Sequence, residues 1–192
     1  MIPKQRRVAG NSTENFSDNT HRLKTHRLLK DDGRTLEEAV AFIRNSPVEQ
    51  VYFFKDGSQV ARFKGEKTYV NPSEASLVRM KDAIVLHNHP GGTSFSVEDV
   101  KAAVTHDAAQ LIVVTSDATY NLIRPRDGWN IDFDIKNTQD IFEEALSLAQ
   151  DKLRKQEARG EIFSSEKDLL LNHYLWEAFF THFGIRYEKT KP

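Results

Sequence analysis

The chain has 192 residues, with 27 Lys plus Arg against 28 Asp plus Glu, 7 His, no Cys and 39% hydrophobic residues. The missing thiols exclude a disulfide scaffold, a Cys-ligated zinc ribbon, an iron-sulfur cluster and a thiol nucleophile, so any metal rests on His, Asp or Glu. The net charge of -1 supplies no global field toward phosphate backbones, and no apolar run reaches the ~20 residues that cross a bilayer, so neither strong non-specific nucleic-acid binding nor a membrane partner is expected.

Residues 1–33 are polar, and Val8, Phe16 and Leu28-Leu29 are too sparse to define a buried face, which predicts an N-terminal arm. The basic residues Lys4, Arg6 and Arg7 lead into no apolar signal segment, and the expectation is a soluble, cytoplasmic protein. Thr35-Leu36-Glu37-Glu38 is a capping box, and Leu36, Val40 and Ile43 make the stripe of a short helix that Pro47 closes. Residues 50–55 and 59–64 read as strands joined at Asp56-Gly57, where glycine permits the positive φ of a tight hairpin. Pro72-Ser73-Glu74 opens a helical stretch to Met80, and Ala83-Ile84-Val85-Leu86 is a buried strand ending at His87.

Ser96-Val97-Glu98-Asp99 starts a third helix, with Val100, Ala103, Val104 and Ala108 turned inward. Leu111-Ile112-Val113-Val114 is another buried strand, and residues 120–124 form one more before Pro125. Beyond Trp129, Ile141, Ala145, Ala149 and Leu153 recur every four residues on one helix face. A last helix over 169–183 carries Tyr174, Trp176, Phe179, Phe180 and Phe183, with Gly184 as its C-cap. Those rings are read as packing on the sheet or the preceding helix, with a homo-oligomer contact as the alternative. The order predicts an α/β fold, a mixed and largely antiparallel sheet flanked by helices. It divides into an arm (1–33), a domain (34–130) and a helical C-terminal extension (131–192).

Chemistry concentrates between Leu86 and Asp99. Strand alternation puts His87 and His89 on one face, close enough for both imidazoles to reach one ion. Pro90-Gly91-Gly92 turns the chain out of the sheet, and Asp99 in the following helix can add an oxygen ligand. Ser-x-x-Asp is equally a capping sequence, so Ser96 and Asp99 carry both readings. Three protein ligands with a fourth position for water is the arrangement of catalytic zinc. Hydrolysis also needs a carboxylate outside the ligand set, and Glu37, Glu38, Glu49, Glu66 and Glu74 are available upstream. His106-Asp107 is read as a surface pair or a partner to the ligands, and His173 and His182 as core or interface residues.

These residues resemble the signature of the JAMM (JAB1/MPN) metalloproteases, an upstream Glu, His-x-His-Pro and then Ser-x-x-Asp. Here it reads Glu49, His87-Asn88-His89-Pro90 and Ser96-Val97-Glu98-Asp99. The His-Asn-His-Pro-Gly-Gly wording is most similar to the prokaryotic and phage branch that includes RadC-like proteins. The resemblance covers residues 35–125, about half the chain, and implies the JAB1/MPN fold, whose architecture is like that of cytidine deaminases. It implies Zn2+ held by His87, His89 and Asp99, water activated by Glu49 and an oxyanion held by Ser96. The implied reaction is hydrolysis of a peptide or isopeptide bond in a protein or peptide partner, such as a ubiquitin-like conjugate. Its rival is a RadC-like accessory or binding protein of DNA processing or phage assembly, without turnover.

Overall fold

In the computed structural model, which describes residues 24–192, Thr35 caps α1 (Leu36–Ile43). The Thr35 hydroxyl accepts from the Glu38 N–H, and the Glu38 carboxylate accepts from the Thr35 N–H. β1 (Gln50–Lys55) and β2 (Ser58–Lys64) turn through Asp56 at φ 51° and Gly57 at φ 76°, the two positive φ values of a type I′ hairpin. A short α2 (Glu74–Leu77) runs into a 3-10 turn (Val78–Met80) and leads to β3 (Ile84–Asn88). Then come α3 (Val97–Thr105), β4 (Gln110–Val114), β5 (Thr119–Ile123), α4 (Lys136–Ala158), α5 (Lys167–His182) and β6 (Tyr187–Thr190).

The sheet order is β2-β1-β3-β4-β5-β6, parallel between β3 and β4 and antiparallel at the other pairings. The class is therefore the α/β one read from sequence, a mixed, largely antiparallel sheet flanked by helices with a helical C-terminal part. A parallel pair needs a crossover connection, and the loop after β3 together with α3 supplies it. That crossover brings a helix N-terminus back to the C-terminal end of β3, where open α/β sheets place their sites.

Alternation divides the strands between two faces. Val51, Phe53, Val85, Leu111 and Val113 join Val100 and Ala103 of α3, Ile141 and Ala145 of α4, and Trp176, Phe179 and Phe180 of α5 in the larger core. Tyr52, Phe54, Leu86, Ile112 and Val114 meet Ala39 and Ile43 of α1 on the other face. Residues 131–192 thus share one core with the sheet. Trp176, Phe179 and Phe180 are covered by their own chain, so a contact between copies would have to use other residues of α5.

Two features have no counterpart in the sequence reading. β6 pairs with β5 and completes the sheet. Part of the polar arm is also tied down: the Leu29 N–H donates to the Arg62 carbonyl, the His26 N–H to the Asn71 carbonyl, and Asp32 meets Arg62, Arg34 and the Tyr52 hydroxyl. Residues 1–23, with Val8, Phe16 and His21, lie outside the described residues. Among the described residues no helix is long and apolar enough to cross a membrane.

Candidate metal centre

His87 is in β3 and His89 follows its end, and their Nε2 atoms lie 3.0 Å apart. His87 shares its face with Val85, so both rings point toward α3. Asp99 meets them with both oxygens, Oδ1 at 3.3 Å from His87 Nε2 and Oδ2 at 3.3 Å from His89 Nε2. The capping box is present as well, with Ser96 N–H donating to Asp99 Oδ2 at 2.7 Å and Asp99 N–H donating to Ser96 Oγ at 3.1 Å. The two readings of Ser-x-x-Asp are therefore compatible. The cap orients a carboxylate that still faces both imidazoles.

His89 Nδ1 lies 2.8 Å from the Ser94 carbonyl and 3.1 Å from that of Thr93. Facing acceptors, Nδ1 carries the proton and leaves the Nε2 lone pair directed at the centre, as a metal ligand requires. His87 Nδ1 is buried and has no hydrogen-bond partner among the described residues, so this ring is committed through Nε2 alone. One nitrogen or oxygen from each of His87, His89 and Asp99 lies within 4.8 Å of the others, and the three can hold a metal ion.

Glu49 reaches the same place through strand register. Val51 pairs with His87 at the end of the β1–β3 ladder, and Glu49, two residues before Val51, lies near enough to His89 and His87 for their charges to act on it. Glu49 is buried at the mouth of β1, its N–H donating to the Glu66 carbonyl and its carbonyl accepting from the Gly65 N–H. Gly65 has a steric reason to be glycine, because a Cβ there would sit 2.3 Å from the Tyr69 carbonyl oxygen. Burial pushes the Glu49 carboxyl up, against the pull of His89 and His87; Asp99 adds to the rise and a hydrogen bond from the Val70 backbone opposes it. The other upstream carboxylates are occupied or exposed elsewhere: Glu37 and Glu38 in the first turn of α1, Glu66 on Lys24, and Glu74 in the first turn of α2.

Burial disfavours ionised Asp99, but His87 and His89 outweigh it and hold the carboxyl well below its usual range. Burial also acts against protonated His89, yet the Asp99 hydrogen bond and charge, with Glu49, carry its pKa above the ordinary value of 6.5. The linkage signs follow. Asp99 contributes stability above its ordinary value of 3.8 that is lost as pH falls through its depressed value. His89 contributes stability below 6.5 that is lost as pH rises through its raised value. The Tm of metal-free protein is therefore expected to be highest at weakly acidic pH and to fall toward pH 8, and a divalent metal is expected to restore the alkaline side by displacing the His89 proton. Thermal scans from about pH 3 to about pH 8, with chelator and with metal, check this; a profile in chelator that does not decline above about pH 6.5 contradicts it.

The remaining histidines lie elsewhere. His106 caps the far end of α3, and Asp107 beside it is paired with Arg124 at 2.6 Å, so this pair does not orient the ligands. His173 Nδ1 is 2.8 Å from the Tyr187 hydroxyl, and burial lowers its pKa to about 4, leaving it neutral. His182 is exposed rather than in the core, and His26 is buried against Asn71. Sequence reasoning passed over Asn88, which is fully buried between the two histidine positions. Its signal was its place in the motif. No family model, curated protein or solved structure matches the chain.

Proposed function

We propose that the protein is a zinc-dependent hydrolase of peptide or isopeptide bonds, built on the JAMM (JAB1/MPN) plan that its motif resembles. The observation that carries this reading is the convergence of His87, His89 and Asp99, with Glu49 buried beside them. Two imidazoles and a carboxylate suit zinc among the common divalent ions. With bonds of about 2.0–2.1 Å, neighbouring ligand atoms of a tetrahedral zinc stand about 3.3 Å apart. The two imidazole nitrogens are 3.0 Å apart, each has one Asp99 oxygen at 3.3 Å, and one atom from each residue lies within 4.8 Å of the others, so the donor set is gathered on the scale of that ion.

Bound there, zinc would supply Lewis acidity, polarising the scissile carbonyl and acidifying water in the position left open. Glu49 takes the water's proton and delivers it to the departing amine. Burial raises its pKa, which makes it a better acceptor of the water's proton than an ordinary carboxylate. Ser96 uses an oxygen lone pair in the helix cap and keeps its O–H to donate to the developing oxyanion. The substrate class is a protein or peptide, a ubiquitin-like conjugate among the candidates.

Zinc-loaded protein assayed on unstructured peptides and ubiquitin-like conjugates is expected to cleave a member of the panel, to lose that activity in chelator and to regain it with zinc. Stoichiometric zinc with no cleavage anywhere in the panel would overturn the hydrolase reading in favour of a RadC-like binding or accessory protein.

A further inference from the structure

We infer that Asn88 is a positioning residue that sets Glu49 at its working distance from the metal ligands; this rests on the hydrolase reading and deepens it. Side chains alternate across a strand, so the residue between His87 and His89 points to the opposite face of the sheet. There Asn88 is 0% exposed. Its carboxamide is fully engaged: Oδ1 accepts from the Gln50 N–H at 2.8 Å, and Nδ2 donates to the Val48 carbonyl at 3.1 Å and to that of Ser46 at 3.4 Å. These groups bracket Glu49 along the chain, two before it and one after.

The ladder between β1 and β3 ends at Val51 opposite His87. One step further, the Asn88 side chain takes the Gln50 N–H at 2.8 Å. The Asn88 carboxamide thus ties residues 46–50 to the end of β3 where the paired residues of the ladder stop. On the other face lie Glu49 and His89, close enough for their charges to act on each other. Ser46 tightens the same knot, its hydroxyl donating to the Val48 carbonyl at 2.7 Å and accepting from Gln50 Nε2 at 3.1 Å.

The task selects asparagine chemically. One acceptor and two donors on a short stem are needed, and aspartate would turn a carboxylate toward two carbonyl oxygens. Asn88 touches no reacting atom, so it acts through the segment that carries Glu49. It also joins that segment to the strand that carries His87, which lets one side chain set the spacing between base and ligands.

Amide exchange of the wild-type, zinc-loaded protein is the first test. The Gln50 N–H is expected to exchange as slowly as amides inside β1, and fast exchange there overturns the inference whether or not any variant folds. Asn88→Asp and Asn88→Ala are expected to speed exchange at Gln50 and keep zinc affinity within ~3-fold, while kcat falls ~30–100-fold with KM little changed. In a Glu49→Gln background the same substitutions are expected to cost less than ~3-fold, because the group they position is already disabled. Loss of zinc, or an equal fall in kcat in both backgrounds, marks a merely structural residue and overturns the inference. A wild-type protein that cleaves nothing refutes the hydrolase reading alone, and the exchange of Gln50 in wild type and Asn88→Asp still decides the clamp.

Discussion

Glu49→Gln is expected to keep zinc and fold while losing kcat by roughly 10³-fold, the middle to upper part of the range for general acid-base groups. Gln preserves the shape of the side chain and an oxygen to accept the Val70 N–H. What disappears is the ability to hold a proton between the water and the departing amine. Burial already opposes the charged carboxylate, so a neutral amide in its place is expected to leave Tm unchanged or slightly raised. Zinc stoichiometry, Tm and kcat measured on one preparation check the three parts together. Wild-type turnover in the variant would remove Glu49 as the base, and Glu66, held by Lys24 on an exposed loop, would not be a natural replacement.

Trp176→Ala is expected to cost about 3–5 kcal/mol, the usual range for deleting a large buried aromatic, and to lower Tm by roughly 10 °C or more. The indole is 0% exposed and packs on Phe142, Phe179 and Phe180. It also donates to the Phe95 carbonyl at 2.8 Å, and Phe95 follows Ser94, whose own carbonyl holds His89 Nδ1. The substitution is thus expected to weaken metal binding as well as stability. Trp176→Phe separates the two effects: it keeps most of the packing, and the orphaned Phe95 carbonyl costs about 1–3 kcal/mol. Chemical denaturation and zinc titration of both variants check this; an Ala variant as stable as wild type would show that α5 does not brace the ligand loop.

What the sequence made legible is what depends on local periodicity. Period two placed His87 and His89 together, and the Ser96 and Thr35 capping boxes and the Asp56-Gly57 turn are short-range chemistry that the structure reproduces. Glu49 was harder, because several upstream carboxylates were available by residue type and only the placing of β1 beside β3 brings this one near His89 and His87. Register across strands distant in sequence leaves no trace in either strand alone.

The misses have the same origin. β6 is a short, polar edge strand, Tyr187-Glu188-Lys189-Thr190, with no apolar alternation to announce it. His26 and Asp32 looked like residues of a solvated arm, yet their partners Asn71 and Arg62 lie some tens of positions away, and the segment is held by those contacts rather than by its own composition. Asn88 stood inside the motif but faces away from the histidines, so a search for ligands had no reason to stop at it.

The most direct measurement is X-ray absorption at the zinc edge on reconstituted wild-type protein, alongside Asp99→Ala. The expected result is one zinc per chain in a shell of two imidazoles with oxygen donors, lost or strongly weakened when Asp99 is removed. A wild-type chain that takes up no stoichiometric zinc, or a zinc shell without two imidazoles that persists in Asp99→Ala, would contradict it.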